Sequence, residues 1–185
     1  MFIQTEQTPN PASLKFLPGC DVMLRGTAEF KSAEAAHASP LAIRLFAISG
    51  VTGVFLAGDF ITVTKSGTAD WAALKPQILG AIMEHFTTGQ KVMLDEDASP
   101  ASSSVSEDDS DVVRQIKELL DTRIRPIVAQ DGGDIVFSSF EDGVVYLHMR
   151  GACAGCPSST ATLKTGIENM LKHFIPEVEE VRAAN

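Results

Sequence analysis

Apolar and polar positions alternate with two different periods along this chain, and the changes of period predict its elements. Phe2–Thr8 and Ala12–Leu17 read as short strands split by Pro9-Asn10-Pro11. Ser39-Pro40 opens a helix running through Ile48, with serine as N-cap and proline in the first turn. Val51–Leu56 and Phe60–Thr64 form a hairpin turning at Ala57-Gly58-Asp59. Trp71, Leu74, Ile78, Ile82 and Phe86 then recur at helical spacing, which makes Trp71 and Phe86 candidate core residues. Pro76 falls inside that run, so the helix is either kinked there or starts later than Asp70 suggests. The order is β-β-α-β-β-α.

A second series begins near Asp111. Val113, Ile116, Leu120, Ile124 and Ile127 predict one amphipathic helix over 111–128, ended by Asp131-Gly132-Gly133-Asp134. Ile135–Phe140 and Val144–Met149 predict a hairpin, with Asp142-Gly143 as its two-residue turn. In that register His148 lies opposite Phe137 and shares a face with Val144 and Tyr146. A last helix carries Leu163, Ile167, Met170, Leu171 and Phe174 on one face and stops at Ile175-Pro176, with Glu177–Val181 as a closing strand. The second series reads α-β-β-α-β.

Charge separates the two series. Of a net charge of −9, residues 1–94 contribute nothing (7 basic, 7 acidic) and residues 112–185 contribute −2 (8 basic, 10 acidic). Asp95 to Asp111 carries seven acids and no base among serine, alanine and proline. Such a stretch self-repels and has little apolar surface to bury. The chain therefore reads as two small α+β domains, 1–94 and 112–185, joined by a flexible acidic linker, 95–111. No basic stripe is available for a phosphate backbone, which argues against nucleic-acid binding, and no apolar stretch is long enough for a membrane span. The three cysteines suit a reducing compartment rather than a disulfide scaffold. The N-terminus resembles neither a signal nor a transit peptide, and Met1 directly before the first strand favours a bacterial cytoplasm; a mitochondrial matrix after processing is the alternative.

Candidate chemistry concentrates in Gly151-Ala152-Cys153-Ala154-Gly155-Cys156-Pro157-Ser158-Ser159-Thr160. Two thiols two residues apart on a small-residue loop suit half a zinc site, half an iron–sulfur site, or a redox disulfide. A thioredoxin-like redox fold needs more chain than the 29 residues after Cys156. A four-ligand metal site needs two more soft ligands, and two chains each giving Cys153 and Cys156 supply them most simply, predicting a metal-bridged dimer. Cys20 sits after Pro18-Gly19 in the other domain and reads as a loop or core thiol. His37, His85 and His173 have no metal-like spacing, and His148 reads as a strand-face residue. Lys164 and Lys172 follow the thiols on the last helix; Lys172 reads as solvated surface.

Asp131-Gly132-Gly133-Asp134, the Cys153–Cys156 loop with Pro157-Ser158-Ser159, Thr162-Leu163-Lys164-Thr165-Gly166-Ile167-Glu168 and Ile175-Pro176-Glu177-Val178 together resemble the C-terminal domain of NifU, the Nfu domain. Phe2-Ile3-Gln4-Thr5-Glu6-Gln7-Thr8-Pro9-Asn10-Pro11 with Leu14-Lys15-Phe16 is similar to the N-terminal domain of mitochondrial-type Nfu proteins and their bacterial relatives. The resemblance implies a non-enzymatic iron–sulfur carrier. On it, Cys153 and Cys156 bind a [4Fe–4S] cluster that bridges two protomers of a homodimer. Upstream cluster donors and apo iron–sulfur recipient proteins are then the partners. The rivals are a thiol–disulfide oxidoreductase and a zinc-bridged structural dimer.

Overall fold

A computed structural model describes residues 1–94, 109–154 and 157–184, with the side chains of 157–159 left out. The chain forms two compact α+β units, Met1–Ala101 and Ser102–Asn185. Most of the acidic linker, residues 95–108, lies outside the described residues.

The first unit is a five-stranded antiparallel sheet in the order β1-β2-β5-β4-β3. Its strands are β1 (Gln4–Gln7), β2 (Ser13–Leu17), β3 (Ala28–Phe30), β4 (Val51–Leu56) and β5 (Ile61–Lys65). Alternate residues Leu14 and Phe16, Val54 and Leu56, and Ile61 and Val63 enter one core with Leu41 and Leu45 of α1 (Pro40–Phe46) and Leu74, Ile78 and Ile82 of α2 (Trp71–Thr87). Ser39 caps α1 by accepting from the Ala42 N–H at 3.1 Å, as its sequence position predicts. The sequence pattern missed β3, whose three residues are too short for an alternation to register. Of the two alternatives at Pro76, the late start is not observed. α2 begins at Trp71 with Asp70 as cap, and Pro76 occupies its sixth position. Gln77 Nε2 donates to the Ala73 carbonyl at 3.0 Å beside it. Trp71 and Phe86 border the core half-buried, and the Trp71 indole donates to the Pro11 carbonyl at 3.1 Å.

The second unit is a three-stranded sheet, β6 (Gly133–Glu141), β7 (Val144–Gly151) and β8 (Glu180–Ala183), in the order β6-β7-β8. β6 and β7 are antiparallel across a tight turn in which Asp142 (φ 48°) and Gly143 (φ 79°) both take the left-handed conformation a type I′ turn requires. β8 runs parallel to β7, which the crossover through α5 (Pro157–Phe174) makes possible. Ile135, Val145, Leu147 and Val181 pack with Ile167 and Leu171 of α5 in the second core.

The single helix expected over 111–128 is divided in three: α3 (Asp111–Leu119), a π turn (Leu120–Ile124) and α4 (Arg125–Gln130). Pro126 has no N–H to give the Thr122 carbonyl, and the Arg125 N–H reaches back five residues to Leu120 instead. Because a π turn holds more residues than an α turn, the buried positions step by four: Ile116, Leu120, Ile124 and then Val128. Ile127, assigned to the buried face by a 3.6 period, is 52% exposed. Phe174, assigned to the core face of the last helix, is 46% exposed. Asp111 belongs to the helix rather than to a linker, and Ser110 caps it by accepting from the Val113 N–H. Asp109 is also held, 2.7 Å from Lys117 Nζ, and that ammonium lies 5.3 Å from the Phe137 ring.

Candidate cluster-binding loop

The loop after β7 is set by what lies beneath it. Gly133 opens β6 opposite Gly151, and a Cβ on Gly133 would stand 2.4 Å from Cys153 Sγ and 2.8 Å from the Arg150 carbonyl oxygen. Only glycine lets the sulfur sit there. The loop backbone is pinned on both sides. The Ala152 N–H donates to the Gly132 carbonyl at 3.1 Å, and the Thr160 hydroxyl donates to the Cys153 carbonyl at 3.1 Å. Asp131-Gly132-Gly133-Asp134 is therefore more than a helix stop: it is the floor of the cysteine loop.

Next to Gly133, Asp134 is buried and receives a two-pronged hydrogen bond from Arg125, Nε to Oδ1 at 2.8 Å and the second guanidinium nitrogen to Oδ2 at 2.9 Å. Arg125 also donates to Asp121 at 3.1 Å. Such forked pairing fixes orientation as well as charge. The arginine stands at the junction of the π turn and α4, so the helix irregularity aims this side chain at the loop's floor. Sequence reasoning missed Arg125. The signal available was an Arg-Pro pair interrupting an apolar-periodic run just before Asp131-Gly132-Gly133-Asp134.

Cys153 is 6% exposed and packs in the second core. Burial first, and then the charges of Asp131 and Asp134, push its thiol up to about 12. The sulfur is thus a neutral thiol at neutral pH. A disulfide-exchange nucleophile needs the opposite setting, a lowered pKa and access. Among the described residues no three His, Cys, Asp or Glu side chains gather into a metal-holding group. Cys156 lies outside the described residues.

The other candidates disperse. Cys20 is exposed and belongs to the first unit. His148 lies opposite Val136 rather than Phe137, because an extra residue between Phe137 and Ser139 shifts the register. Lys164 stands 3.7 Å from Glu180, and Lys172 pairs with Glu168 one turn back at 2.8 Å. The Glu168 carboxylate also accepts from the Val181 N–H at 3.1 Å, tying α5 to β8.

Family models and known proteins match this chain in both units. Residues 3–89 match the family described as "Scaffold protein Nfu/NifU N terminal", and residues 116–182 match the "NifU-like domain". A Drosophila sechellia protein named "NFU1 iron-sulfur cluster scaffold homolog, mitochondrial" is 55% identical over 183 residues, 98% of this chain and 64% of the relative. The Drosophila virilis protein of that name is 54% identical, over 98% of this chain and 61% of its own length. The chain thus spans somewhat under two thirds of the length of these relatives. A NifU-like protein from Saccharomyces cerevisiae, solved by NMR, is 25% identical, covers 51% of this chain and 86% of its own, and superposes with a TM-score of 0.47. With both domains present in order, the chain belongs to the Nfu/NifU-like family.

Proposed function

We propose that this protein is an iron–sulfur cluster scaffold and carrier rather than an enzyme. It takes a [4Fe–4S] cluster as cargo on Cys153 and Cys156 and delivers it to apo recipient proteins. The observation that carries the reading is the pair of family domains in one order, shared at 55% identity with proteins named as iron–sulfur cluster scaffold homologues. The loop suits the cargo. A soft sulfur donor sits in a cradle that a Cβ would fill, and its backbone is held by Gly132 and Thr160. One chain has two cysteines in the motif, so a four-thiolate cluster takes two protomers, and the cluster bridges a homodimer. Ligation requires the thiolate, so loading releases the proton that burial and the two aspartates hold on Cys153. Since the relatives are named mitochondrial, the mitochondrial matrix, with its donors and recipients, is favoured over a bacterial cytoplasm.

Anaerobic reconstitution with iron and sulfide tests the reading on full-length protein and on Cys153→Ala, Cys156→Ala and Cys20→Ala. The expected result is four iron and four sulfide per dimer for the parent and for Cys20→Ala, and monomers without iron for the other two. Zinc without sulfide in the parent, a cluster retained by Cys156→Ala, or a cluster lost from Cys20→Ala would overturn it.

A further inference from the structure

A sulfur that shares iron with a second protomer has to face out of its own chain, yet the Cys153 sulfur faces into it. Cys153 is buried, packs in the second core, and holds its Sγ over the bare Cα of Gly133. This is the form of an unloaded loop. Loading turns the sulfur from the core side to the surface, so whatever fixes Cys153 inward governs loading.

Three features hold the backbone around Cys153. Gly151, at φ 64°, turns the chain out of β7, and the Ala152 N–H donates to the Gly132 carbonyl at 3.1 Å. Both belong to the end of the hairpin. The third crosses to another element: the Thr160 hydroxyl, in the first turn of α5, donates to the Cys153 carbonyl at 3.1 Å. Threonine hydroxyls on helices ordinarily bond the carbonyl one turn back. Thr88, Thr122 and Thr165 do so in this chain, on Glu84, Glu118 and Ala161. Thr160 reaches back seven residues instead, out of its own helix to the residue that carries the thiol. Rotation about one side-chain bond releases it, without disturbing the helix or the hairpin.

We propose that Thr160 is a positioning residue for loading: its hydroxyl latches Cys153 in the inward form, and the cargo is taken up through the unlatched loop. That the cargo is a cluster rests on the carrier reading; the latch itself is a property of the apo protein. Removing one net hydrogen bond from the latched form changes the unlatched population about fivefold.

The test starts with apo protein. Full-length parent, Thr160→Val, Thr160→Ser and Thr165→Val are pulsed with iodoacetamide. Modification of Cys153 is read by peptide fragmentation, with exposed Cys20 as the standard of an accessible thiol. Valine matches threonine in shape and lacks the hydroxyl, so Thr160→Val should raise the Cys153 rate about fivefold. Thr160→Ser should restore the parent rate, and Thr165→Val, whose hydroxyl bonds Ala161, should match the parent. Amide exchange at Val145 and Leu147, which reports the second core, should not change. On anaerobic reconstitution, Thr160→Val should take up iron and sulfide faster than the parent by a similar factor and reach the same final content. The latch is overturned if Thr160→Val leaves the Cys153 rate at the parent value, or raises it only as far as exchange at Val145 and Leu147 rises. Equal or slower uptake by Thr160→Val, with the parent loading normally, overturns it too. If alkylation follows the latch but no protein, parent included, takes up iron and sulfide, the carrier reading fails and Thr160 stands as the residue that positions the Cys153 thiol.

Discussion

The two units share a fold class but use buried polarity differently. In the first, the polar groups inside serve the frame. Ser39 caps a helix and binds the Val92 carbonyl at 2.6 Å, and Ser13 meets Thr64 at 2.9 Å. Its one buried titratable ring, His85, has neither nitrogen hydrogen-bonded among the described residues. In the second, Asp134, Arg125 and Cys153 are gathered under one loop, and Gly133 is kept bare to make room. In the first unit these groups brace a sheet and a helix; in the second, buried Asp134 lies under the cysteine loop. A fold class therefore says little about where chemistry resides; the placement of buried charge says more.

That contrast breaks most sharply on separation. Residues 109–185 alone should take up iron and sulfide at the stoichiometry of the full chain, and residues 1–94 should take up none, read by metal analysis after reconstitution. A cluster on the first unit, or a folded second unit that cannot be loaded, would end the comparison.

Arg125→Ala removes the forked pair from buried Asp134 and should destabilise the second unit by about 3 kcal/mol, the lower end for a broken buried pair, because Asp134 keeps other contacts. Urea unfolding followed separately in the two units, with Trp71 reporting the first, should show the loss in the second only. Gly133→Ala forces its Cβ into Cys153 Sγ and the Arg150 carbonyl. The expected cost is about 1–3 kcal/mol, with a displaced sulfur and reduced cluster uptake. An alanine variant as stable and as well loaded as the parent would mean that the loop floor is soft.

The first unit should instead carry a pH response. Burial first, and the Arg44 charge second, hold the His85 pKa below its ordinary value of 6.5. The unfolded chain therefore takes up the proton first. His85 costs nothing above its unfolded pKa, and the first unit loses stability as pH falls through that value toward the depressed folded one. His85→Leu should flatten that slope in a denaturation series between neutral pH and the onset of carboxylate titration; an unchanged slope would assign the response to other groups. The smallest effect is chemical. Exposed Cys20 should react with iodoacetamide before Cys153 in peptide-mapped alkylation of the apo protein, and the reverse order would contradict the burial of Cys153.

Much of this molecule follows from local rules. Ser39-Pro40 starts a helix because a hydroxyl cap and a fixed φ suit the first turn, and Asp142-Gly143 closes a hairpin because both residues tolerate positive φ. The spacing of Cys153 and Cys156 also reads locally as a candidate ligand pair, since a two-residue gap of small residues lets both thiols turn toward one point; Cys156 itself lies outside the described residues. Ile127 reached the surface because the run divides at Pro126, a local signal that the periodic reading passed over, whereas the extra residue after Phe137 that set His148 against Val136 shows only in the strand pairing. Tertiary packing decided the rest. Arg125 meets Asp134, and Gly133 lies under Cys153, only because α4, β6 and β7 converge there. Spacing along the chain fixes what neighbours can do together; which distant groups share a buried site depends on how the sheet and helices close upon one another, and no local period encodes that.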